Sequence, residues 1–449
     1  MNNPHSKKFN TARIWFAGLN SALGNFIYSY NMSVFTSSQP SVSATLGWGE
    51  DKNKIIAIVT SLNPLGSLIG SLLAGYLSKF IGHRQNIIIA DLIVIFATIM
   101  TVIPSTYSFS VGRFLSGIGS GCFCMLCPLY LNELSPAEIS GRIGSLMMIL
   151  SCIGSTLAFG LALILPTENY ELDPINNFWI VMFSIQGIMA LVQVLFFSSF
   201  FKKESPFWLL SKGLIEESLD SLKFTYKPEY AQEIMDQVQK KEQNVYKDTW
   251  KALKIGIFMN VLQQLSGINA ILSYTTTLFY ELGSDVFTAR VFTMLTGFVR
   301  LLASLSNIKI IDYFGRKKTL VYGTLGLSVC LALMGILSVY KTYYLIPILL
   351  IQVYLAIFVM SSGPICWIYC GEVLSSQGMS ICSSINFLSN FIIVLIFPFI
   401  KELIGYSYTF FSLSLFNILG AFYLFYHMIE TKGMLKAEIR SLFSKENLD

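Results

Sequence analysis

The sequence predicts an all-α membrane protein of twelve transmembrane helices, arranged as two six-helix halves with a helical linker on the cytoplasmic side. Three observations predict it. Of 449 residues, 53% are hydrophobic and only 13% charged, with a mean hydropathy of +0.60; water-soluble globular chains do not have that balance. Windows of about 20 residues find twelve apolar runs long enough to cross a bilayer. Basic residues are unevenly placed. With both termini cytoplasmic, about 23 of the 31 lysines and arginines fall in cytoplasmic segments and about five in outer loops, the positive-inside pattern.

The first half, residues 1–201, holds runs at 13–35, 55–80, 86–104, 108–131, 141–165 and 177–201. The first run has no small-residue cleavage site and is too long for a signal-peptide core, so it counts as a helix. Residues 202–251 form the one long polar stretch between runs. Its charges alternate around Leu209, Leu210, Leu214, Leu219, Leu222 and Ile234, a pattern for short amphipathic helices on the membrane surface. The second half, 252–428, holds runs at 252–280, 288–311, 319–340, 344–370, 380–400 and 406–428, and a short cytoplasmic tail covers 429–449.

The halves echo each other. Gly82-His83-Arg84 follows the second run and Gly315-Arg316-Lys317 the eighth; Glu133 ends the fourth and Glu372 the tenth. A parallel repeat of six spans is a transporter architecture, with its site at the midplane between halves.

Chemistry is excluded more readily than assigned. The net charge of +5 is a topology signal, because no basic surface is gathered for nucleic acid. Cys122, Cys124 and Cys127 share a helix, but no histidine is near them in sequence, so small apolar packing is the better reading than a metal site. There is no phosphate loop, zinc helix or nucleophile elbow. No catalytic residue, metal or cofactor is expected.

The most informative run is Gln263-Gln264-Leu265-Ser266-Gly267-Ile268-Asn269. On one continuous helix from about Ala252 to Tyr280, these carboxamides would share a broad face. They cannot face lipid cheaply. Interhelical glue is one use for them; the density of uncharged donors and acceptors favours a neutral, hydroxyl-rich ligand.

With these pieces in order, the chain resembles the sugar porter family of the major facilitator superfamily, and within it the facilitative hexose transporters. The resemblance rests on Gly112-Arg113-Phe114, Pro128-Leu129-Tyr130, Glu133-Leu134-Ser135-Pro136, Glu204-Ser205-Pro206 and the glutamine run. It continues through Asp312-Tyr313-Phe314-Gly315-Arg316-Lys317, Gly363-Pro364-Ile365-Cys366-Trp367 and Glu430-Thr431-Lys432-Gly433. It implies the major facilitator fold and uniport of a hexose or related sugar by alternating access, in the plasma membrane and as a monomer. Proton symport, an anionic sugar-like solute and a non-transporting nutrient sensor are the alternatives.

By resemblance, Gln263, Gln264, Asn269 and Trp367 contact the sugar, with Asn390 on the eleventh span, or Asn386 one turn earlier, as a further contact. Asn31 stands beside Arg113, where proton-coupled members have an aspartate; an amide cannot carry a proton near neutral pH. Asp91 is the rival proton carrier, with a structural polar role the better reading. Arg84, Glu133, Arg142, Arg316 and Glu372 match a cytoplasmic gate of salt bridges that holds the halves together.

The chain also departs from the family. Ser140 and Met379 replace gate arginines, so Arg142 is expected to serve Glu133 while Glu372 lacks that partner. Met148 replaces a glutamine, Val359 a glutamate, and Arg300 an asparagine in the sugar site. Arg300 lies twelve residues before Asp312, about 18 Å along the helix. Three readings compete for it: binding a carboxylate or phosphate, donating to sugar hydroxyls, or a structural role.

Overall fold

The computed structural model describes residues 9–168, 173–242, 249–340, 344–434, 438–439 and 442–443. Helices dominate it, as the absence of water from a hydrocarbon layer requires of a spanning chain. The first half contains α1 (Thr11–Thr45), α2 (Lys52–Leu77), α3 (His83–Val102), α4 (Thr106–Leu134), α5 (Ala137–Leu161) and α6 (Phe178–Ser199). Three short helices follow, α7 (Pro206–Ser211), α8 (Ile215–Thr225) and α9 (Pro228–Glu242). Leu222, Ala231 and Met235 bury themselves among Leu210, Leu219 and Ile234, so the amphipathic pattern of the linker is spent on a small core of its own.

The second half departs from straight spans in three places. The run expected as one helix at 252–280 is α10 (Trp250–Leu265), α11 (Ile268–Ser273) and α12 (Thr275–Glu281). Gly267 sits between the first two at φ 85°, a left-handed backbone that costs any other residue a Cβ clash. After α13 (Val286–Phe314) and α14 (Arg316–Val339), the tenth span is divided into α15 (Leu345–Met360) and α16 (Ser362–Val373). Pro364 explains the division, since it has no N–H to donate to the carbonyl of Met360. The last two spans form α17 (Ser376–His427), bent at Gly405 with φ 77°.

Among the described residues ten stretches are long and apolar enough to cross a membrane. The bent α17 is one of them though its 52 residues are enough for two passes, and α1 is a further long helix whose polar residues dilute it. That tally agrees with the twelve passes of the expected fold. Large apolar side chains such as Phe96, Ile99, Leu302, Leu305, Phe422 and Phe425 are exposed, as a lipid-facing belt requires.

Each half has its own core, one in the first half and two in the second. Between the halves, α2 packs on α17, α5 on α13, and the far end of α1 on α11 and α12. The linker, residue 10 and residue 430 share one face: the backbone N–H of Asn10 donates to Thr225 at the end of α8, and Glu430 accepts from the start of α14.

Candidate solute site between the halves

The break at Gly267 shapes the candidate site. Because α10 stops at Leu265, the chain turns and Asn269 comes back against Gln264 rather than continuing along a helical face. Asn269 Nδ2 donates to Gln264 Oε1 at 2.7 Å, Gln264 Nε2 to Asn386 Oδ1 at 2.9 Å, and Asn386 Nδ2 to Gln263 Oε1 at 2.7 Å. Gln263 Nε2 then reaches the carbonyls of Ser362 and Gly363, at 3.0 and 3.1 Å, in the first turn of α16. Four carboxamides thus form one chain joining α10, α11, α17 and α16. Buried amides cost free energy unless paired; here they hold each other in fixed orientation.

Asn386, the second choice on the eleventh span, belongs to this chain. Asn390, one turn on, is buried with its Oδ1 unpartnered among the described residues, which leaves a spare acceptor. Trp367 lies one turn beyond Gly363 on α16 and is half-buried. Met148 on α5 is half-buried and Val359 on α15 is buried, so neither position offers a hydrogen bond. Arg300 is half-buried on α13, and its guanidinium donates across the half interface to Ser155 Oγ at 3.3 Å.

The Asn31–Arg113 pair is in place. One guanidinium nitrogen of Arg113 donates to both the main-chain and side-chain carbonyl oxygens of Asn31, each at 2.7 Å. Asn31 Nδ2 donates onward to Ser120 at 3.2 Å, and the ring of Phe35 lies 5.4 Å from the Arg113 carbon. Arg113 is only 2% exposed and is held by carbonyl dipoles and an aromatic face. Asp91 is fully buried, with both carboxyl oxygens unpartnered among the described residues.

Among the described residues, the bonds of the expected gate residues run within each half. Glu133 meets His83, at 3.4 Å, and Ser205. Arg84 donates to the Phe197 carbonyl at 2.7 Å instead of pairing with Glu133. In the second half Glu372 pairs with Arg316 at 2.8 Å and accepts from Thr431 Oγ1 at 2.6 Å. The side chain of Arg142 lies outside the described residues. Two further carboxylates cap helices. Glu204 accepts the backbone N–H of Arg84 at 2.9 Å, and Glu430 those of Arg316 and Lys317 at 2.8 and 3.0 Å, where the helix dipole favours negative charge. Nearby, a recess of about 400 Å³ is lined by Arg84, Lys202, Glu204, Trp208 and Asp220 among others. Its charges are mixed and it lies away from the midplane, so the carboxamide chain is the better candidate site.

Sequence reasoning missed the seam that joins the halves on the face opposite the linker. Ser37 Oγ and Thr276 Oγ1 are 2.8 Å apart, Thr36 donates to the Leu272 carbonyl at 3.4 Å, and Gln39 Nε2 to that of Ser273 at 3.2 Å. Thr277 donates back to Gln39. The signal was the polar run Thr36-Ser37-Ser38-Gln39 just past the expected end of the first span, which the helix carries on to Thr45.

Residues 12–443 match the family model described as sugar (and other) transporter. The chain belongs to the sugar (and other) transporter family. Members of this family are membrane transporters, not enzymes, and the chain is a multi-pass integral membrane protein of that kind. Among its relatives in the family, a D-xylose-proton symporter of Escherichia coli is 24% identical, over 98% of this chain and 97% of the relative. The Synechocystis glucose transport protein is 27% identical over 96% and 99%, and the mouse solute carrier family 2 facilitated glucose transporter member 9 is 29% identical over 96% and 86%. The solved xylose transporter XylE of E. coli, partially occluded and inward open, superposes with a TM-score of 0.83 at 22% identity, over 94% of this chain and 99% of that one. That agreement establishes the major facilitator fold.

Proposed function

We propose that the protein is a facilitative carrier of a hexose or related sugar, moving it down its gradient by alternating access. The observation that carries this reading is the carboxamide chain Gln263–Asn386–Gln264–Asn269 at the break between α10 and α11. Such a chain presents uncharged donors and acceptors in fixed directions, which suits several hydroxyls of one small solute. The names of the glucose- and xylose-carrying relatives point to the same solute class.

Two further features support the mechanism. The face opposite the linker is closed by bonds between halves, whereas the ion pairs described on the linker face stay within halves. On the linker face the halves meet through α2 and α17 without a described ion pair between them, an arrangement able to part on that side. Asn31 supports uniport, because an amide beside Arg113 has no proton to exchange. The linker face is taken as cytoplasmic from the charge bias, with both termini on it, the plasma membrane as the host bilayer and the monomer as the working unit.

A proton-coupled cycle is the second reading, favoured by the unpartnered carboxyl of Asp91. Net uptake in proteoliposomes carrying a lumenal pH dye separates the two, because a symporter also exchanges labelled solute without any gradient. Saturable uptake of a neutral or acidic hexose with no accompanying proton flux is expected. Uptake that moves protons inward, or accumulation driven by an inside-alkaline gradient, would establish the second reading instead; failure to take up any sugar would refute both.

A further inference from the structure

Arg300 is a charged group near the middle of its span that a neutral sugar leaves unused. It sits fourteen residues from either end of α13. Tyr28, within electrostatic reach of it, is at the centre of α1. Gln263 and Gln264 are close to the middle of the α10–α12 span. These groups therefore share a depth. Arg300 also shares a helical stripe with Thr293, Thr296, Gly297 and Ser304. Thr293 bonds to Thr276 at 3.0 Å, and a Cβ on Gly297 would meet Thr156 of α5 at 2.3 Å. The stripe faces the protein, not lipid.

The protein shows how it satisfies a buried guanidinium structurally. Arg113 donates to the Asn31 main-chain carbonyl at 2.7 Å, and Arg290 to that of Leu165 at 2.5 Å. Arg300 has no such carbonyl. Among the described residues its one hydrogen bond is the long one to Ser155, and its Nε is buried without a partner. Nor is an acid within reach along the helices around it. No Asp or Glu occurs in residues 12–49, 139–167, 250–280, 286–311, 345–371 or 376–401. A charged group with unspent donors inside a membrane protein is costly unless a partner arrives.

We propose that this partner is the solute, and that the solute is a monocarboxylate sugar acid of the hexuronate type. Its carboxylate takes the Arg300 fork, the geometry a guanidinium matches best, while its hydroxyls are read by Gln263, Gln264, Asn269 and Asn386. One unpaired cation balances one negative charge. A phosphate monoester, close to dianionic at neutral pH, would bring a second charge that nothing along these helices offsets. The inference rests on the sugar-transport reading above and narrows its substrate.

The test is counterflow in liposomes with labelled D-glucuronate, D-glucose and D-glucose 6-phosphate, for the wild type, Arg300→Asn and Arg300→Lys. The wild type should exchange glucuronate in preference to the other two. Arg300→Asn should raise the half-saturating glucuronate concentration by about tenfold or more and shift preference toward glucose, with Arg300→Lys between them. Net glucuronate uptake by a uniporter moves negative charge, so an inside-positive potential set with potassium and valinomycin should speed it. That readout and wild-type competition stand even if a variant fails to fold.

Glucose exchange that glucuronate does not inhibit would overturn the inference and leave the transport reading intact. Preference for glucose 6-phosphate would overturn the monocarboxylate. No exchange of any of the three, by wild-type protein that unfolds cooperatively on heating, would overturn the transport reading itself.

Discussion

Glu430 does in the second half what Glu204 does in the first: each accepts backbone N–H groups at the start of the third span of its half, α14 and α3 respectively. The neighbouring hydroxyls match as well, Ser205 on Glu133 and Thr431 on Glu372. The linker and the tail are therefore latches, each folding its own half's loop onto its own fourth span or its equivalent.

Loss of either latch should cost stability rather than specificity. Glu204→Ala and Glu430→Ala each remove charge-assisted hydrogen bonds at a helix N-terminus, about 2 kcal/mol apiece. Thermal unfolding in detergent should show both melting lower than wild type, with the half-saturating solute concentration unchanged. A wild-type melting temperature in both would show that the latches contribute nothing.

The repeat, the spans and the glutamine run were legible because each is periodic or composed of a few residue types in unusual density. Geometry that depends on partners was not. Hydropathy stops the first span at residue 35 because Thr36, Ser37 and Gln39 score as polar, yet across the interface their hydrogen bonds are satisfied and the helix continues to Thr45. A gate between halves was expected from the resemblance to the sugar porter family. Glu133 and Glu372 instead find nearer partners inside their own halves. Asn386 and Asn390 differ by one turn, and only the position of α10 decides which meets Gln264.

The carboxamide chain predicts a graded binding defect. Gln264→Ala removes the acceptor of Asn269 and the donor to Asn386, freeing both asparagines to reorient. Solute binding should weaken about tenfold, the worth of one or two net hydrogen bonds. Equilibrium binding to purified protein would measure it, and wild-type affinity would remove this chain from the site.

Asn31→Asp should convert a silent pair into a proton-exchanging one. A carboxylate beside Arg113 can gain and lose a proton where the amide cannot. Wild-type liposomes carrying a lumenal pH dye should show no proton flux on solute addition; the variant should show solute-dependent flux. Proton flux in the wild type would shift attention to Asp91 and defeat uniport.

Gly267→Ala tests the break itself. The new Cβ would sit at φ 85° and meet Leu413 Cδ1 at 2.8 Å, a strain of about 1–2 kcal/mol before any repacking. Lower thermal stability and weaker solute binding are expected together, because straightening the chain there moves Asn269 off Gln264. Loss of stability with unaltered binding would mean that the break does not position the carboxamides.

The seam of α1 with α12 predicts a reversible lock. Ser37 Oγ and Thr276 Oγ1 are 2.8 Å apart across the halves, close enough for paired cysteines to bridge with little backbone movement. Oxidising Ser37→Cys/Thr276→Cys should tie that face shut, so exchange stops and returns on reduction, while each single variant keeps exchanging. Alternating access requires this face to separate once per cycle. A cross-linked protein that still exchanged solute at the uncross-linked rate would show that the halves need not part here, and a rocking motion about the midplane would have to be abandoned.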